Sequence, residues 1–176
     1  MLQQTLTSED WARLFRECRR SAVHLEMRDS YAVEEEQADI EQWRAGRFGP
    51  AEDAESKAGW LALMRETKAR GVRLRRARIV SEPVSEYIRF EYDGTPQNIA
   101  AGEEVRWLAR TKASGLALPG NDFWLFDDAR ALFNHFTGEG GWLGAELTED
   151  PRVAKLCADA FESVWALAVP HDQYQP

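Results

Sequence analysis

The spacing of apolar residues predicts helices in the first 70 residues of the chain. Within residues 11–18, apolar side chains recur at the intervals of one helical face, and Ser8 is placed to cap that helix at its start. We expect the helix to end near Arg20. Residues 34–44 are rich in helix formers, and a third helix, closed by a glycine, is expected over about residues 52–70.

Alternation of apolar and polar residues predicts two strands in the same part of the chain. Within residues 23–28, apolar side chains alternate with His24, Glu26 and Arg28, which is typical of a strand with one face in water. A second strand is expected over Leu74–Val80. Its alternation is imperfect because two arginines share a face with apolar neighbours, so one arginine should point inward.

The pattern of apolar residues in the second half of the chain predicts a sheet. Residues 83–91 satisfy both helical spacing and β preference, so both assignments stay open there, and a loop is expected over residues 93–96. Four short apolar or aromatic runs beyond that loop predict strands. They are Val105–Ala109, Phe123–Phe126, Ala131–Phe136 and Trp142–Leu147. A glycine-rich turn at residues 137–141 joins the last two, which predicts an antiparallel meander.

A long helix is expected to close the sheet. Its apolar stripe runs over about residues 150–168 and should pack across the strands. We therefore predict one α+β domain over residues 1–176, with helices packed on a mostly antiparallel sheet of about five to six strands. The helical part spans about residues 8–70 and the sheet-rich part about residues 72–148.

Composition indicates a globular chain without a membrane span. Of the 176 residues, 44% are hydrophobic and 30% are charged, which is the balance of a chain that folds alone. No run of about 18 apolar residues occurs, and the first residues lack the basic and apolar parts of a secretory signal. We therefore expect a cytoplasmic protein. Cys18 and Cys157 lie in apolar helical stripes and are expected to be buried thiols.

Charge is unevenly distributed in a chain that is acidic as a whole. The net charge of −8 argues against direct binding of nucleic acid. Residues 65–78 carry seven basic side chains and one acidic side chain, a local balance of +6, so the remainder carries −14. Two interpretations stay open: internal compensation by the acidic residues 34–36, or docking of an acidic or regulatory protein partner. The docking candidates are Lys68, Arg73, Arg75 and Arg78.

The sequence lacks the motifs of common cofactor enzymes. It contains no phosphate-binding glycine loop followed by Lys, no dinucleotide fingerprint, no His-Glu-x-x-His, no nucleophile elbow and no Cys-x-x-Cys. Because His24, His135 and His171 are far apart in sequence and both cysteines are isolated, we predict no metal site and no cofactor. These features favour a non-enzymatic function.

Arginines and carboxylates concentrate near the predicted strand ends. Carboxylates there can bind a hard divalent cation, and arginines can hold a phosphate or a carboxylate. The structural alternative is a tight turn at Asp127–Asp128 and buried ion pairs for Arg89 and Arg106, which lie between apolar neighbours. Both alternatives stay open. The ligand or ion-pair candidates are Arg76, Glu86, Arg89, Glu91, Glu103, Arg106, Asp122, Asp127 and Asp128.

The order of these segments resembles an actinobacterial family of unknown function. The resemblance is carried by the Trp11 helix, residues 86–91, 100–106 and 122–128, Leu118–Pro119 and the ending at residues 168–170. It implies an actinobacterial origin and genomic neighbours such as helix-turn-helix regulators and small acidic proteins, and it brings no catalytic residue. The leading hypothesis is a non-enzymatic regulatory or protein-interaction domain that acts with a transcription regulator. The alternative is an enzyme that binds a small anion or phosphate ligand through Arg89, Arg106 and neighbouring carboxylates.

Overall fold

A mixed seven-stranded sheet with helices on both faces organises the computed structural model, which describes residues 6–32 and 34–176. The helices of the described part are α1 (Ser8–Glu17), α2 (Glu34–Arg44), α3 (Pro50–Ser56), α4 (Ala58–Ala69), α5 (Glu86–Ala100) and α6 (Pro151–Leu167). The strands are β1 (Ser21–Glu26), β2 (Arg73–Val80), β3 (Glu103–Ala109), β4 (Phe123–Phe126), β5 (Arg130–Phe136), β6 (Trp142–Thr148) and β7 (Val169–Pro170). Among these helices, none is both long enough and apolar enough to span a membrane.

The three central strands are parallel, so the prediction of a mostly antiparallel sheet of five to six strands is wrong. The strand order is β6-β5-β4-β1-β2-β3-β7, in which β1, β2 and β3 pair in parallel and the other neighbours pair antiparallel. Helices connect β1 to β2 and β2 to β3, and a helical crossover returns the chain in the same direction. The seventh strand has two residues, too few to show alternation.

The predicted meander and closing helix are confirmed. β4, β5 and β6 pair antiparallel, and residues 137–141 form the turn between the last two. Asp127 and Asp128 adopt φ angles of 54° and 58° in the turn between β4 and β5, which is the left-handed conformation that aspartate tolerates. α6 starts after Asp150, whose carboxylate accepts a hydrogen bond from the Arg152 amide at 2.8 Å.

The first helices differ from the prediction at their ends. Thr7, not Ser8, caps α1, because its hydroxyl accepts a hydrogen bond from the Asp10 amide at 3.2 Å while the Asp10 carboxylate accepts one from the Thr7 amide at 3.0 Å. The helix ends at Glu17, earlier than expected. The single helix expected over residues 52–70 is divided into α3 and α4.

The segment that stayed open between helix and strand is helical. α5 begins at Glu86 and continues through residues 93–96, where a loop was expected. Gly94 permits close packing rather than a turn, since a Cβ atom there would lie 2.8 Å from the side chains of Asp53 and Lys57. Tertiary contact between helices therefore explains a glycine that local pattern alone assigns to a loop.

The two sides of the sheet differ in chemistry because successive strand residues face opposite sides. One side is apolar and packs against α6, with Leu25, Ile79 and Phe161 in the same buried cluster. The other side is covered by helices from the first 100 residues, and Phe15 and Leu61 belong to its apolar cluster. Both cysteines are free and buried, as predicted.

A polar strip interrupts this second side along the central strands. His24 and Glu26 of β1 are register neighbours of Arg76 and Arg78 of β2. The side of β1 that was expected to face water is therefore covered, and only 7% of His24 is exposed. Both arginines, rather than one, point inward, with exposed fractions of 7% and 5%.

Candidate functional site

A cavity of about 980 Å³ lies between the polar strip and the helices that cover it. His24, Glu26, Arg76 and Arg78 form its floor together with Trp124 of β4. Helices α1, α2, α4 and α5 contribute its walls. The aromatic lining comprises Trp11, Tyr31, Trp60, Tyr87, Phe90, Trp124, Phe136 and Trp142. Size and aromatic lining together are typical of small-ligand sites.

The floor of the cavity carries a buried ionic network. The oxygens of Glu26 lie 3.0 Å from Arg76 Nη1 and 2.6 Å from Arg78 Nε. Arg76 also pairs with Glu103 at 2.8 Å, and Arg78 pairs with Glu91. Burial opposes the charged form of Glu26, but Arg78 and Arg76 outweigh it and lower the pKa of Glu26 to about 2. Two guanidinium groups are thus balanced by three carboxylates within this network.

His24 lies in the same floor without a hydrogen-bond partner. Its ring stacks on Trp124, with centroids 4.2 Å apart and planes inclined by 16°. Burial lowers the pKa of His24 to about 3, so the imidazole is neutral at physiological pH. Among the described residues, no group bonds either ring nitrogen, although Nδ1 lies 3.6 Å from a Glu26 oxygen. Asn134 Oδ1, on the same cavity wall, is buried and without a described partner too. Buried polar atoms in proteins nearly always have a hydrogen-bond partner. Since these atoms have none within the described residues, a bound ligand is a candidate for the missing partner.

Two further carboxyl groups face the cavity beside tyrosines. Tyr87 donates a hydrogen bond to Glu36 Oε2 at 2.7 Å, and Tyr31 donates one to Asp122 Oδ2. Burial raises the pKa of Asp122 to about 6, and burial together with the charge of Glu91 raises the pKa of Glu36 to about 7. Both groups therefore titrate near neutral pH. In the described part of the chain, no three His, Cys, Asp or Glu side chains are grouped so as to hold a metal ion.

Four of the predicted site residues meet at this cavity. Arg76, Glu91 and Asp122 line it. Glu103 is buried beside it, where it pairs with Arg76 and accepts a hydrogen bond from Asn98 at 3.0 Å. The predicted cluster of arginine and carboxylates thus exists, although only in part and on the covered side of the sheet.

Four other candidates lie away from the cavity. Glu86 pairs with Arg44 in an exposed position. Arg89 is exposed. It lies in helix α5, and its apolar neighbours in the sequence do not cover its side chain there. Asp127 and Asp128 form the turn after β4, which agrees with the structural alternative for these two residues.

Arg106 lies on the α6 side of the sheet and has a different kind of partner from the one expected. Its Nη1 donates a hydrogen bond to the Trp165 carbonyl at 3.0 Å, and its guanidinium lies 4.5 Å from the Trp165 ring centroid. A backbone carbonyl and an aromatic face therefore satisfy this guanidinium, rather than a buried carboxylate.

The basic residues 65–78 do not form one continuous surface. Alternation along β2 turns Arg73 and Arg75 to the side of α6 and buries Arg78 in the cavity floor. Arg73 and Arg75 are each paired with a glutamate, at 2.8 and 2.6 Å. Lys68 is exposed on α4. Burial thus removes Arg78 from the docking surface that the sequence suggested.

Several residues of the cavity were not identified from the sequence. They are His24, Glu26, Tyr31, Glu36 and Tyr87. A signal existed for the first two, because polar residues two positions apart in β1 match arginines two positions apart in β2. No sequence signal joins Glu36 to the tyrosines, because these side chains meet only in the folded chain.

Fold and cavity together define an α+β domain with a mixed sheet and a buried ionic cavity on one face. The chain belongs to the family described as a domain of unknown function (DUF6879), whose model matches residues 9–176. Comparison with curated proteins gives no significant match.

Distant likenesses to solved structures also exist. The archaeal chromatin protein TrmBL2, described as showing a novel mode of DNA binding, is 11% identical with a TM-score of 0.49, covering 92% of this chain and 49% of its own. This chain thus spans about half the length of TrmBL2. Nuc, a phospholipase D family member from Salmonella typhimurium, is 10% identical with a TM-score of 0.48, covering 94% and 88%. NucT from Helicobacter pylori is 10% identical with a TM-score of 0.49, covering 92% and 89%. Likenesses this distant carry no activity or DNA binding over to this chain.

Proposed function

We propose that this domain binds a small organic ligand in the cavity between the central strands and helices α1, α2, α4 and α5. The observation that carries the proposal is the pair of unbonded buried polar groups, His24 and Asn134 Oδ1, on the wall of a cavity of about 980 Å³. A sheet side with only a structural role gains more from apolar packing than from buried ions and unsatisfied polar atoms. Binding of a ligand accounts for both.

The geometry argues against the small-anion alternative. Arg76 and Arg78 are each paired with two carboxylates, so their positive charges are compensated within the network, and Arg78 Nη1 is left without a hydrogen-bond partner in the described part of the chain. Arg89 is exposed away from the cavity, and Arg106 lies on the opposite side of the sheet. The proposed site therefore uses the cluster that the sequence suggested, but for a different ligand chemistry.

A cavity-filling substitution tests this function. Ala62 and Ala69 are both exposed on α4, but only Ala62 lines the cavity. A library of small metabolites is screened by thermal unfolding, because a ligand at about 100 times its Kd stabilises the folded state by about 2.7 kcal/mol. Hits should be lost in Ala62→Phe and kept in Ala69→Phe. A library without hits, or hits that both variants retain, contradicts the proposal.

A second candidate is the regulatory protein-interaction function, and a basic depression favours it. Arg16, Arg19, Arg70 and Arg130 line a shallow depression of about 790 Å³ beside Glu17. We propose that an acidic protein docks there. The resemblance noted in the sequence implies small acidic proteins and helix-turn-helix regulators as genomic neighbours in actinobacteria, which suits such a partner. Opposite charges at the rim would speed its association.

Charge reversal tests this second function. An acidic protein captured from the host by the wild type should be lost with Arg19→Glu/Arg70→Glu. The matched control Lys112→Glu/Arg152→Glu changes the charge equally at exposed sites outside the depression and should keep it. Equal capture by both double variants would reject the docking site.

A further inference from the structure

We propose that the ligand of the cavity is an organic cation, a protonated or quaternary amine attached to an apolar or aromatic body. This inference rests on the proposed function, because it specifies the charge of the ligand in the same cavity. Three independent features of the cavity support it: the surplus of acidic side chains, the kind of partners that its carboxyl groups have, and its aromatic walls.

Acidic side chains outnumber basic ones around the cavity, by six to four. All four basic side chains have carboxylate partners. Arg76 and Arg78 belong to the buried network, Lys57 lies 2.9 Å from Asp53, and Arg16 lies 3.0 Å from Glu9. An anionic ligand would have to displace one of these partners, whereas a cationic ligand meets an excess of negative charge.

Three cavity carboxylates have hydroxyl groups as partners in place of cations. Tyr87 bonds Glu36, Tyr31 bonds Asp122, and Ser56 bonds Asp39. Among the ion pairs of the described residues, none includes these three carboxylates. An ionised carboxylate can accept about four hydrogen bonds, so each retains capacity for an ammonium group. Burial is the main cause of the raised pKa of Glu36 and of Asp122, and the charges of Glu91 and Glu26 add to it, so a cation beside either group would favour its ionised form.

Aromatic rings connect two of these carboxyl groups. The ring centroids of Tyr31 and Tyr87 lie 5.6 Å apart, and that of Phe136 lies 5.1 Å from Tyr31. Glu36 and Asp122 are bonded to the hydroxyls of these same two tyrosines. An ammonium beside the tyrosine pair therefore meets aromatic faces, which attract cations, and carboxylates, which accept its hydrogen bonds.

The unbonded atoms of the wall suit the same ligand. Asn134 Oδ1 is an acceptor, and the neutral His24 ring carries one acceptor nitrogen and one donor nitrogen. Asn134 Oδ1 and the acceptor nitrogen of the His24 ring can each accept a hydrogen bond from a ligand that donates N–H groups. A carboxylate or phosphate group brings acceptors only and would leave these two acceptor atoms without a donor.

Three probes of one size test the charge preference: phenethylamine, 2-phenylethanol and phenylacetate, which are cationic, neutral and anionic near pH 7.5. Isothermal titration calorimetry on the full chain should give the amine an affinity at least about tenfold above that of the alcohol, and the acid the weakest affinity. Glu36→Gln and Asp122→Asn should each weaken the amine by about tenfold and leave the alcohol unchanged. Glu162→Gln, on the α6 side of the sheet, is the control and should change neither.

The outcomes separate this inference from the proposed function. Equal binding of amine and alcohol, both lost in Ala62→Phe, would overturn the charge preference and leave ligand binding intact. No binding of the amine at millimolar concentration would overturn the inference, while the metabolite screen decides the proposed function separately. If Asp122→Asn does not fold, Glu36→Gln alone decides the result, because Glu36 lies on the covering helix α2 and its carboxyl group accepts a hydrogen bond from the Tyr87 hydroxyl.

Discussion

Glu26 and Arg78 lie opposite each other on the parallel strands β1 and β2, with Glu26 Oε2 2.6 Å from Arg78 Nε in the floor of the cavity. Both side chains are almost fully buried. Desolvation of two such charges consumes most of their attraction, so a buried ion pair contributes little net stability compared with apolar residues of similar volume. Its role is better explained by the charge balance of the network. Glu26 pairs with both arginines, and with Glu91 and Glu103 it gives three carboxylates against two guanidinium groups, so the floor of the cavity carries a net negative charge.

Loss of Glu26 should nevertheless be costly, because two guanidinium groups would remain buried with less compensating charge. Glu26→Gln should lower the free energy of unfolding by about 3 kcal/mol, measured by urea denaturation at pH 7. Glu104→Gln removes the partner of Arg73 in a half-exposed pair and should change it by less than about 1 kcal/mol. Equal effects in the two variants would show that the network is not electrostatically coupled.

His24 should behave in the opposite way, because its imidazole makes no hydrogen bond that a substitution could remove. His24→Phe keeps an aromatic ring on Trp124 and should leave the unfolding free energy of the ligand-free protein unchanged or raised. Asn98→Leu is the contrasting variant, since it deletes a buried bond to Glu103 and should cost about 2 kcal/mol. A comparable loss in His24→Phe would reveal a partner for the ring and weaken the case for a ligand there.

Arg106 provides a third stability test on the other side of the sheet. Its partners are the carbonyl and the ring of Trp165, so Arg106→Met should cost about 1 to 2 kcal/mol. Removal of one member of a buried ion pair would cost about 3 to 5 kcal/mol instead. Thermal and urea unfolding of this variant therefore distinguish the two arrangements, and the larger loss would indicate a carboxylate partner in solution.

Local periodicity predicted most elements of the fold, while strand direction depended on tertiary structure. The bounds of the second helix and of the strand at Phe123–Phe126 agree with the prediction, because each follows from side-chain spacing alone. Parallel pairing of the central strands could not be predicted in this way, since it depends on which edge of the sheet each crossover returns to. The helix through Gly94 was missed for a similar reason, because its fit against Asp53 involves residues about forty positions apart.

The site was predictable only in part, because alternation separates polar from apolar faces without showing what covers them. Arg76, Glu91, Glu103 and Asp122 stood out as charged residues near predicted strands, and all four lie in or beside the cavity. His24 belongs to the same polar strip, but it was predicted to lie on a solvent-exposed face of its strand. The sequence pattern of a polar face on a central strand is the same whether solvent or a layer of helices covers that face.

The pH dependence of stability should report on Glu36. Its pKa is raised from an ordinary 4.5 to about 7 by burial and by Glu91, against the opposing influence of its bond from Tyr87 and of the positive charges of Lys57 and Arg78. The folded state therefore binds this proton more tightly than the unfolded state. The resulting stabilisation is complete below about pH 4.5, declines as pH rises through 7 and is absent above it.

Glu36→Gln removes this dependence and isolates it. The variant should be more stable than wild type at pH 8, by on the order of 2 kcal/mol, and the difference should disappear towards pH 4.5. Urea denaturation at intervals between pH 4.5 and 8 measures it. Glu41→Gln, an exposed change on the same helix, should follow the wild-type profile. Parallel profiles for Glu36→Gln and wild type would mean that Glu36 is already solvated or paired with a cation, and the acidic character of the cavity would then have to come from its other acidic side chains, chiefly Asp122 and Asp39.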